Sequence, residues 1–187
     1  MRPPKPLRRT ALVVVDMINT WAMAEGRAVR DEATRMVPQL RHLLAGARRA
    51  GRPVIYANDN FGQWRSDLPA LIARVRAGGA DSRRIVDALA PRSDDYVVLK
   101  PRHSAFFATP LELLLQSLRI GRLVVAGASG DQCVLGTVAD ALLRGYDVVV
   151  PRDAIACATN ERARSVVRHF DKVMKVGTPL ARSCRWR

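Results

Sequence analysis

The sequence predicts an α/β domain in which helices cover both faces of a doubly wound, six-stranded parallel sheet. Two observations favour this fold class: short apolar runs recur along the chain, and stretches with helical periodicity separate them. Continuous rather than alternating apolar runs are typical of strands covered on both faces. Strands that alternate with helices indicate right-handed crossovers and a parallel sheet, which has a Rossmann-like three-layer architecture.

The length of the chain sets the number of domains. With 187 residues, 48% of them hydrophobic, the chain can bury one substantial core but is short for two ordinary domains. We expect one domain over residues 1–187, in which residues 1–9 form a flexible basic tail. No apolar run approaches the roughly 20 residues that a membrane span requires, and MRPPKPLRR lacks the apolar segment of a secretory signal. We therefore expect a cytoplasmic protein with no membrane partner.

Six apolar runs are candidate strands, and most of them are four to six residues long. In chain order they are ALVVVD ending at Asp16, PVIYA ending at Ala57, YVVLK ending at Lys100, RLVVAG ending at Gly127, YDVVV ending at Val150 and KVMKV ending at Val176.

Helical periodicity fills the intervals between these runs. The stretch from Phe61 to Ala90 predicts a substrate-facing loop followed by two short helices. Pro110 and Cys133 are each predicted to open a further helix. One helix that stops before Gly51 is predicted between the first two strands by apolar residues at helical spacing: Val29, Ala33, Met36, Val37, Leu40, Leu43 and Leu44.

The net charge of +14 raises the question of a nucleic-acid partner. The arginines are dispersed rather than gathered in a motif, and only 5% of residues are aromatic, so we expect no specific nucleic-acid partner. Cys133, Cys157 and Cys184 are an odd number without metal-ligand or redox-pair spacing, so neither a disulfide framework nor a metal site is predicted.

Three reactive residues follow predicted strands. Asp16 ends the first strand, Lys100 ends the third, and Cys133 opens the helix after the fourth. Ligands of open parallel sheets bind beyond the carboxyl ends of the strands, so these side chains are expected to converge. A cysteine at a helix start beside a lysine is expected to favour the thiolate, which is the nucleophilic form.

Each of these residues also has a structural interpretation. An aspartate after a strand often caps a helix or stabilises a loop, and a lysine there often extends to solvent. A lone cysteine is usually a buried core residue, which is how we interpret Cys157 and Cys184. The chain has only four lysines, and its other basic residues are arginine. Because arginine cannot supply a proton-labile amine, a lysine at position 100 favours a chemical role there. The glycine-bearing loop GASGDQC lacks a complete nucleotide-binding pattern.

Four segments of the chain resemble the isochorismatase-like superfamily, which includes nicotinamidases, N-carbamoylsarcosine amidohydrolases and related cysteine amidases. The segments are LVVVDMINTW, VIYANDNFGQW, VLKPRHSAFFATPLELLL and VVAGASGDQCVLGTVADALLRGYDVVVPRDAIA. The resemblance implies the same six-stranded fold and places Asp16, Lys100 and Cys133 at the positions of the catalytic triad. It also implies a non-proline cis peptide bond between Ala128 and Ser129, and an oxyanion hole formed by the N–H groups of Ser129 and Cys133.

The sequence departs from parts of the family pattern. Nicotinamidases commonly hold a metal through an Asp-x-His segment and further histidines after the second strand, where this chain has Asn58-Asp59-Asn60. We therefore expect no metal and no cofactor. Members that cleave isochorismate lack the nucleophilic cysteine, so Cys133 argues against a vinyl-ether hydrolase.

The sequence thus predicts a cysteine hydrolase that cleaves a C–N bond in a small amide or carbamoyl compound through a thioester. Trp21, Phe61, Trp64 and Phe106 are candidates for an apolar pocket wall. We also expect a homo-oligomer, a dimer or larger. A non-catalytic binding or assembly protein on the same fold is the alternative, although it would not need the three reactive residues together. A nucleotide-binding protein would need a better phosphate loop than MINTWAMAEGR after the first strand.

Overall fold

Six parallel strands form one sheet in the computed structural model, which describes residues 9–65 and 67–186. The strand order is β3-β2-β1-β4-β5, and the short β6 pairs with β4. Chain order reverses between β1 and β4, which is where doubly wound sheets bind ligands. The strands are β1 (Arg9–Val15), β2 (Val54–Asp59), β3 (Tyr96–Lys100), β4 (Ile120–Ala128), β5 (Asp147–Val149) and β6 (Ile155–Ala156).

Helices cover both faces of this sheet, as predicted. Alternate residues of β1 enter two separate hydrophobic cores, with Leu12 and Val14 in the first and Ala11, Val13 and Val15 in the second. The first core lies under α1 to α4 and the second under α5 to α7. The helices are α1 (Gly26–Arg35), α2 (Val37–Arg49), α3 (Leu68–Ala77), α4 (Ala80–Leu89), α5 (Leu111–Ser117), α6 (Leu135–Leu143) and α7 (Asn160–Arg168).

The sixth strand was predicted in the wrong place. The first two residues of the KVMKV segment, Lys172 and Val173, end a π-helical turn, His169–Val173, that continues α7, and its last three residues form neither helix nor strand. Phe170 is fully buried there, whereas Val173 is two-thirds exposed, so the run's apolar residues are not all core residues. After this segment Gly177 makes an isolated parallel bridge to Val149. The sixth strand is β6, whose two residues are too short a run to stand out in the sequence.

The single helix predicted before Gly51 is in fact two helices. The break falls at Met36, whose backbone lies at φ −88° and ψ 0° between α1 and α2. Pro38 follows in the first turn of α2, where its missing N–H costs nothing but where it cannot continue the hydrogen bonding of α1. The apolar spacing continues across the break because both helices pack on the same core.

The other predicted helices agree with the structure, with small shifts at their starts. The two short helices between Phe61 and Ala90 are α3 and α4. Pro110 is the N-cap of α5. A π-helical turn, Gly130–Val134, precedes α6, so Cys133 lies within the first helical turn rather than at its start. Residues 1–8 of the predicted tail lie outside the described residues, and Arg9 already belongs to β1. Within the described ranges, no helix is both long and apolar enough to cross a lipid bilayer.

Candidate active site

The carboxyl ends of β1, β3 and β4 bring Asp16, Lys100 and Cys133 together. The Nζ atom of Lys100 lies 2.8 Å from Oδ2 of Asp16 and 3.6 Å from Sγ of Cys133. The Asp16 carboxylate also interacts electrostatically with the Cys133 thiol. The three residues are 33 or more positions apart in sequence, so only the sheet topology can assemble them.

Asp16 is fixed by backbone contacts on both sides. Its N–H donates to the Ala57 carbonyl at 3.0 Å, and its Oδ1 accepts a hydrogen bond from the Asp59 N–H at 2.7 Å. Its φ of 51° lies in the left-handed region, which aspartate tolerates better than most residues. These contacts leave Oδ2 for Lys100 and hold the carboxylate at the end of β1.

Lys100 is fully buried, which is unusual for lysine. Its ammonium donates to the Arg102 carbonyl at 3.1 Å, in addition to its contacts with Asp16 and Cys133. Burial alone would lower the pKa of Lys100, but the nearby Asp16 carboxylate and the other negative groups raise it above its usual value. The side chain is therefore held as a buried cation in contact with both other residues.

The structure favours a neutral thiol at Cys133 rather than the expected thiolate. Burial, together with the charge of Asp16, raises the pKa of the Cys133 thiol to about 12. Burial also raises the pKa of the Asp16 carboxyl, although Lys100 opposes this effect. The expectation from sequence was wrong because it counted the helix start and Lys100 but not desolvation and the Asp16 carboxylate. A proton must therefore leave Cys133 before the sulfur can attack.

The end of β4 and the turn that follows it contain a glycine with a positive φ and a cis peptide bond. Gly127 has a φ of 128°, and a Cβ there would lie 2.1 Å from the Val15 carbonyl oxygen, so only glycine fits. The next peptide bond, from Ala128 to Ser129, is cis. Both Ser129 and Cys133 line the cavity that opens above the thiol.

This cavity has a volume of about 240 Å³ and is bordered by the carboxyl ends of β1, β2 and β4. Trp21 and Phe61 line it, and both have left-handed φ values, of 60° and 50°. Backbone strain of this kind clusters at functional sites. The described residues that line the cavity are Asp16, Asn19, Trp21, Met23, Val29, Asp59, Phe61, His103, Ala128, Ser129, Gln132 and Cys133.

The other two predicted wall residues do not reach the cavity. Trp64 is 79% exposed on the surface. Phe106 is buried in the second core, where its ring centroid lies 5.9 Å from that of Tyr146 and the Arg144 guanidinium lies 4.9 Å from its ring. Aromatic type alone could not separate a pocket wall from a core or surface position.

Sequence reasoning missed several residues of the cavity, above all His103 and Asp59. Nδ1 of His103 lies 3.5 Å from Sγ of Cys133. Oδ2 of Asp59 lies 3.8 Å from Nζ of Lys100. His103 follows Lys100 by three residues and Asp59 ends β2, so their closeness to predicted strand ends was a usable signal.

Among the residues that the structure describes, no group of three or more histidine, cysteine, aspartate or glutamate side chains is arranged to hold a metal ion.

Comparison with known proteins identifies the family. Residues 10–179 match the family described as the isochorismatase domain. The isochorismatase family protein YaaI of Bacillus subtilis is 35% identical over 164 residues, 88% of this chain and 90% of that protein. The ureidoacrylate amidohydrolase RutB of Klebsiella pneumoniae subsp. pneumoniae is 31% identical, over 79% of this chain and 73% of that protein. The crystal structure of N-carbamoylsarcosine amidase from Thermoplasma acidophilum is 30% identical, with a TM-score of 0.71 over 95% of this chain and 99% of that one. The chain therefore belongs to the isochorismatase family.

Proposed function

We propose that this protein is a cysteine hydrolase that cleaves the C–N bond of a small amide or carbamoyl compound through a thioester on Cys133. The observation that carries the proposal is the contact of one buried ammonium, that of Lys100, with both Asp16 and Cys133 at the floor of a cavity. Relatives described as an amidase and an amidohydrolase support the same class of reaction.

Acylation begins with transfer of the Cys133 thiol proton to Asp16. The raised pKa of Asp16 makes this carboxylate a better base than an ordinary aspartate, and the Lys100 ammonium stabilises the thiolate as it forms. The thiolate attacks the carbonyl carbon, which forms a C–S bond and a tetrahedral oxyanion. The C–N bond then breaks, and the nitrogen takes the proton from Asp16 and leaves as ammonia or an amine.

The oxyanion is held by the N–H groups of Ser129 and Cys133 in this proposal. Both residues line the cavity at the turn that opens the helix after β4. A single donor of this kind is worth on the order of 100- to 1000-fold in rate, because it is already aimed at the charge that develops.

Deacylation reverses the proton transfers. Asp16, now ionised again, removes a proton from a water molecule, which attacks the thioester carbonyl. The C–S bond breaks, the acid leaves, and the Cys133 sulfur regains a proton. No step requires a cofactor or a metal ion.

The test is a screen of small amides, carbamoyl compounds and ureides for ammonia release, in parallel with Cys133→Ala. We expect at least one compound to release ammonia with the wild type and none with the variant. Cys184→Ala is the matched control, because Cys184 is only half-buried and lies outside the cavity lining. Ammonia release that persists in Cys133→Ala would contradict the proposal, and a complete absence of turnover would favour a binding protein on the same fold.

A further inference from the structure

We infer that the cavity selects amides whose remote end is neutral or positively charged over amides that carry a carboxylate, and that Asp59 sets this preference. The inference rests on the proposed function and names its substrate class. It separates the substrate of this chain from ureidoacrylate, a carboxylate, for which the Klebsiella relative is named.

The first observation is the lack of cations in the cavity wall. The chain has 27 arginines, yet among the described residues that line the cavity there is neither an arginine nor a lysine. Two arginines lie nearby without lining the cavity: Arg162 pairs with Glu25 and Asp131, and the Arg74 guanidinium lies 5.8 Å from the ring of the wall residue Phe61. A carboxylate in the cavity would therefore lack the guanidinium partner that proteins usually provide for it.

The second observation is the position of the Asp59 carboxylate. Its Oδ1 accepts a hydrogen bond from the Phe61 N–H at 2.6 Å, which turns the group toward the cavity. Its Oδ2 lies 3.8 Å from the Lys100 ammonium, which is too far for a hydrogen bond, and Lys100 is already bonded to Asp16. The Asp59 side chain is 32% exposed, so its charge faces the space that a substrate would fill.

The charges around the cavity do not balance. Two carboxylates, Asp16 and Asp59, face one ammonium, Lys100, and the Cys133 thiol is neutral. A third negative group would lose its hydration and be repelled at short range. The remaining wall suits an uncharged end, since Trp21, Met23, Val29 and Phe61 are apolar, and the aromatic faces also attract cations.

The test uses two alkylating reagents of nearly equal size, neutral iodoacetamide and anionic iodoacetate. Each forms an S–C bond with Cys133 and releases iodide, and peptide mass mapping gives both rates. The ratio of the rates cancels the ionisation of the thiol, so it reports the charge of the cavity alone. Both rates are measured at the same pH and the same ionic strength, so that the two reagents meet the same protein charge.

N-acetylcysteine amide is the free-thiol reference. At low salt, we expect the iodoacetamide-to-iodoacetate rate ratio at Cys133 to exceed that of this free thiol about tenfold. Asp59→Asn should lower the ratio at Cys133 at least about threefold. Added salt should lower the wild-type ratio as well, which needs no variant. Asp94→Asn is the matched control, because Asp94 is exposed and precedes β3 at the opposite end of the strand from Lys100. It should leave the ratio unchanged.

A wild-type ratio equal to that of the free thiol, or one that Asp59→Asn does not lower, would overturn the inference. Because alkylation needs no substrate, this outcome is separate from the ammonia-release screen. An altered ratio in a protein that hydrolyses no amide would overturn the proposed function and leave the preference of the cavity standing.

Discussion

Both ends of β3 carry a buried ion pair, and the two pairs differ in what surrounds them. Before the strand, Asp95 pairs with Arg48; at its end, Lys100 pairs with Asp16. The Asp95 carboxylate accepts hydrogen bonds from Arg48 on both oxygens, and from the Arg92 N–H at 2.8 Å. Three hydrogen bonds within the protein hold this carboxylate, so we interpret the pair as structural.

The pair at the other end has a third partner that can react. Lys100 contacts both the Asp16 carboxylate and the Cys133 sulfur, and a cavity opens above them. A larger cavity, of about 560 Å³, lies beside Arg48, but none of the described residues that line it is a cysteine, serine or threonine. The smaller cavity is therefore the proposed site, because it lies over a buried ion pair that contacts a cysteine, whereas the larger one does not.

The largest expected effect tests whether Asp16 and Cys133 act in one step. Asp16→Asn and Cys133→Ala should each lower kcat by at least about 1000-fold, and the double variant should be scarcely worse than the worse single. Steady-state ammonia release measures the rates, and circular dichroism checks that each variant folds. Losses that multiply independently in the double variant would refute a shared step.

Lys100 variants separate charge from chemistry at the same pair. Lys100→Arg keeps a cation but changes its shape, its hydration and its ability to lose a proton, so we expect kcat to fall about 100-fold. Lys100→Ala should be at least as impaired and also less stable, by about 3 kcal/mol, because it leaves the buried Asp16 carboxylate without its partner. Activity and urea unfolding of both variants are the measurements, and near-normal turnover in Lys100→Arg would contradict the mechanism.

The opposite result is expected at the other end of β3. Arg48→Met should lower the free energy of unfolding by about 3 kcal/mol, because it leaves Asp95, whose side chain is 3% exposed, as an unpaired buried carboxylate. The folded fraction should keep its kcat within about twofold, since the pair lies away from the reacting groups. A loss of kcat comparable to that of the Lys100 variants would mean that the two pairs are not distinct in function.

The pH dependence should report the raised pKa of Asp16. As pH falls through that value, Asp16 gains a proton and can no longer accept one from Cys133, so kcat/KM should fall at a higher pH than an ordinary aspartate would give.

The same raised pKa should also affect the stability of the fold, but in the opposite direction: activity rises with pH, whereas stability should fall. Between the unfolded value of 3.8 and the raised folded value, the native state holds a proton that the unfolded chain has lost, so stability decreases as pH rises. Asp16→Asn should remove that decrease, and a urea titration at several pH values tests it.

The smallest expected effect concerns His103. Its ring nitrogen lies 3.5 Å from the Cys133 sulfur, but the side chain is exposed and the proposed mechanism assigns the role of base to Asp16. His103→Phe should therefore lower kcat/KM only about threefold. A loss of 100-fold or more would transfer the role of base from Asp16 to His103.

The sequence predicted the layered fold and the strand ends because both follow from local patterns. Buried runs such as that of β1 are visible as continuous apolar residues, and reactive residues directly after them had to lie at one edge of the sheet. The same reasoning failed for β6, whose two residues pair with β4 only through tertiary packing. It also failed for Trp64 and Phe106, since a sequence does not show which aromatic residue faces a cavity.

The protonation state of Cys133 could not be predicted for a different reason. It depends on desolvation and on the distance to Asp16, and both arise only when β1 and β4 are paired. The catalytic roles of Asp16, Lys100 and Cys133 stay predictions, as do the homo-oligomer and the lack of a specific nucleic-acid partner.

The most direct test of the central claim is the partitioning of the acyl-enzyme between water and hydroxylamine. Once an amide substrate is known, its acyl group is presented as the primary amide and as the methyl ester. A common thioester on Cys133 predicts the same ratio of hydroxamate to acid from both compounds, because the leaving group has departed before the partition. Ratios that differ between amide and ester, or the absence of hydroxamate from both, would contradict a covalent intermediate on Cys133.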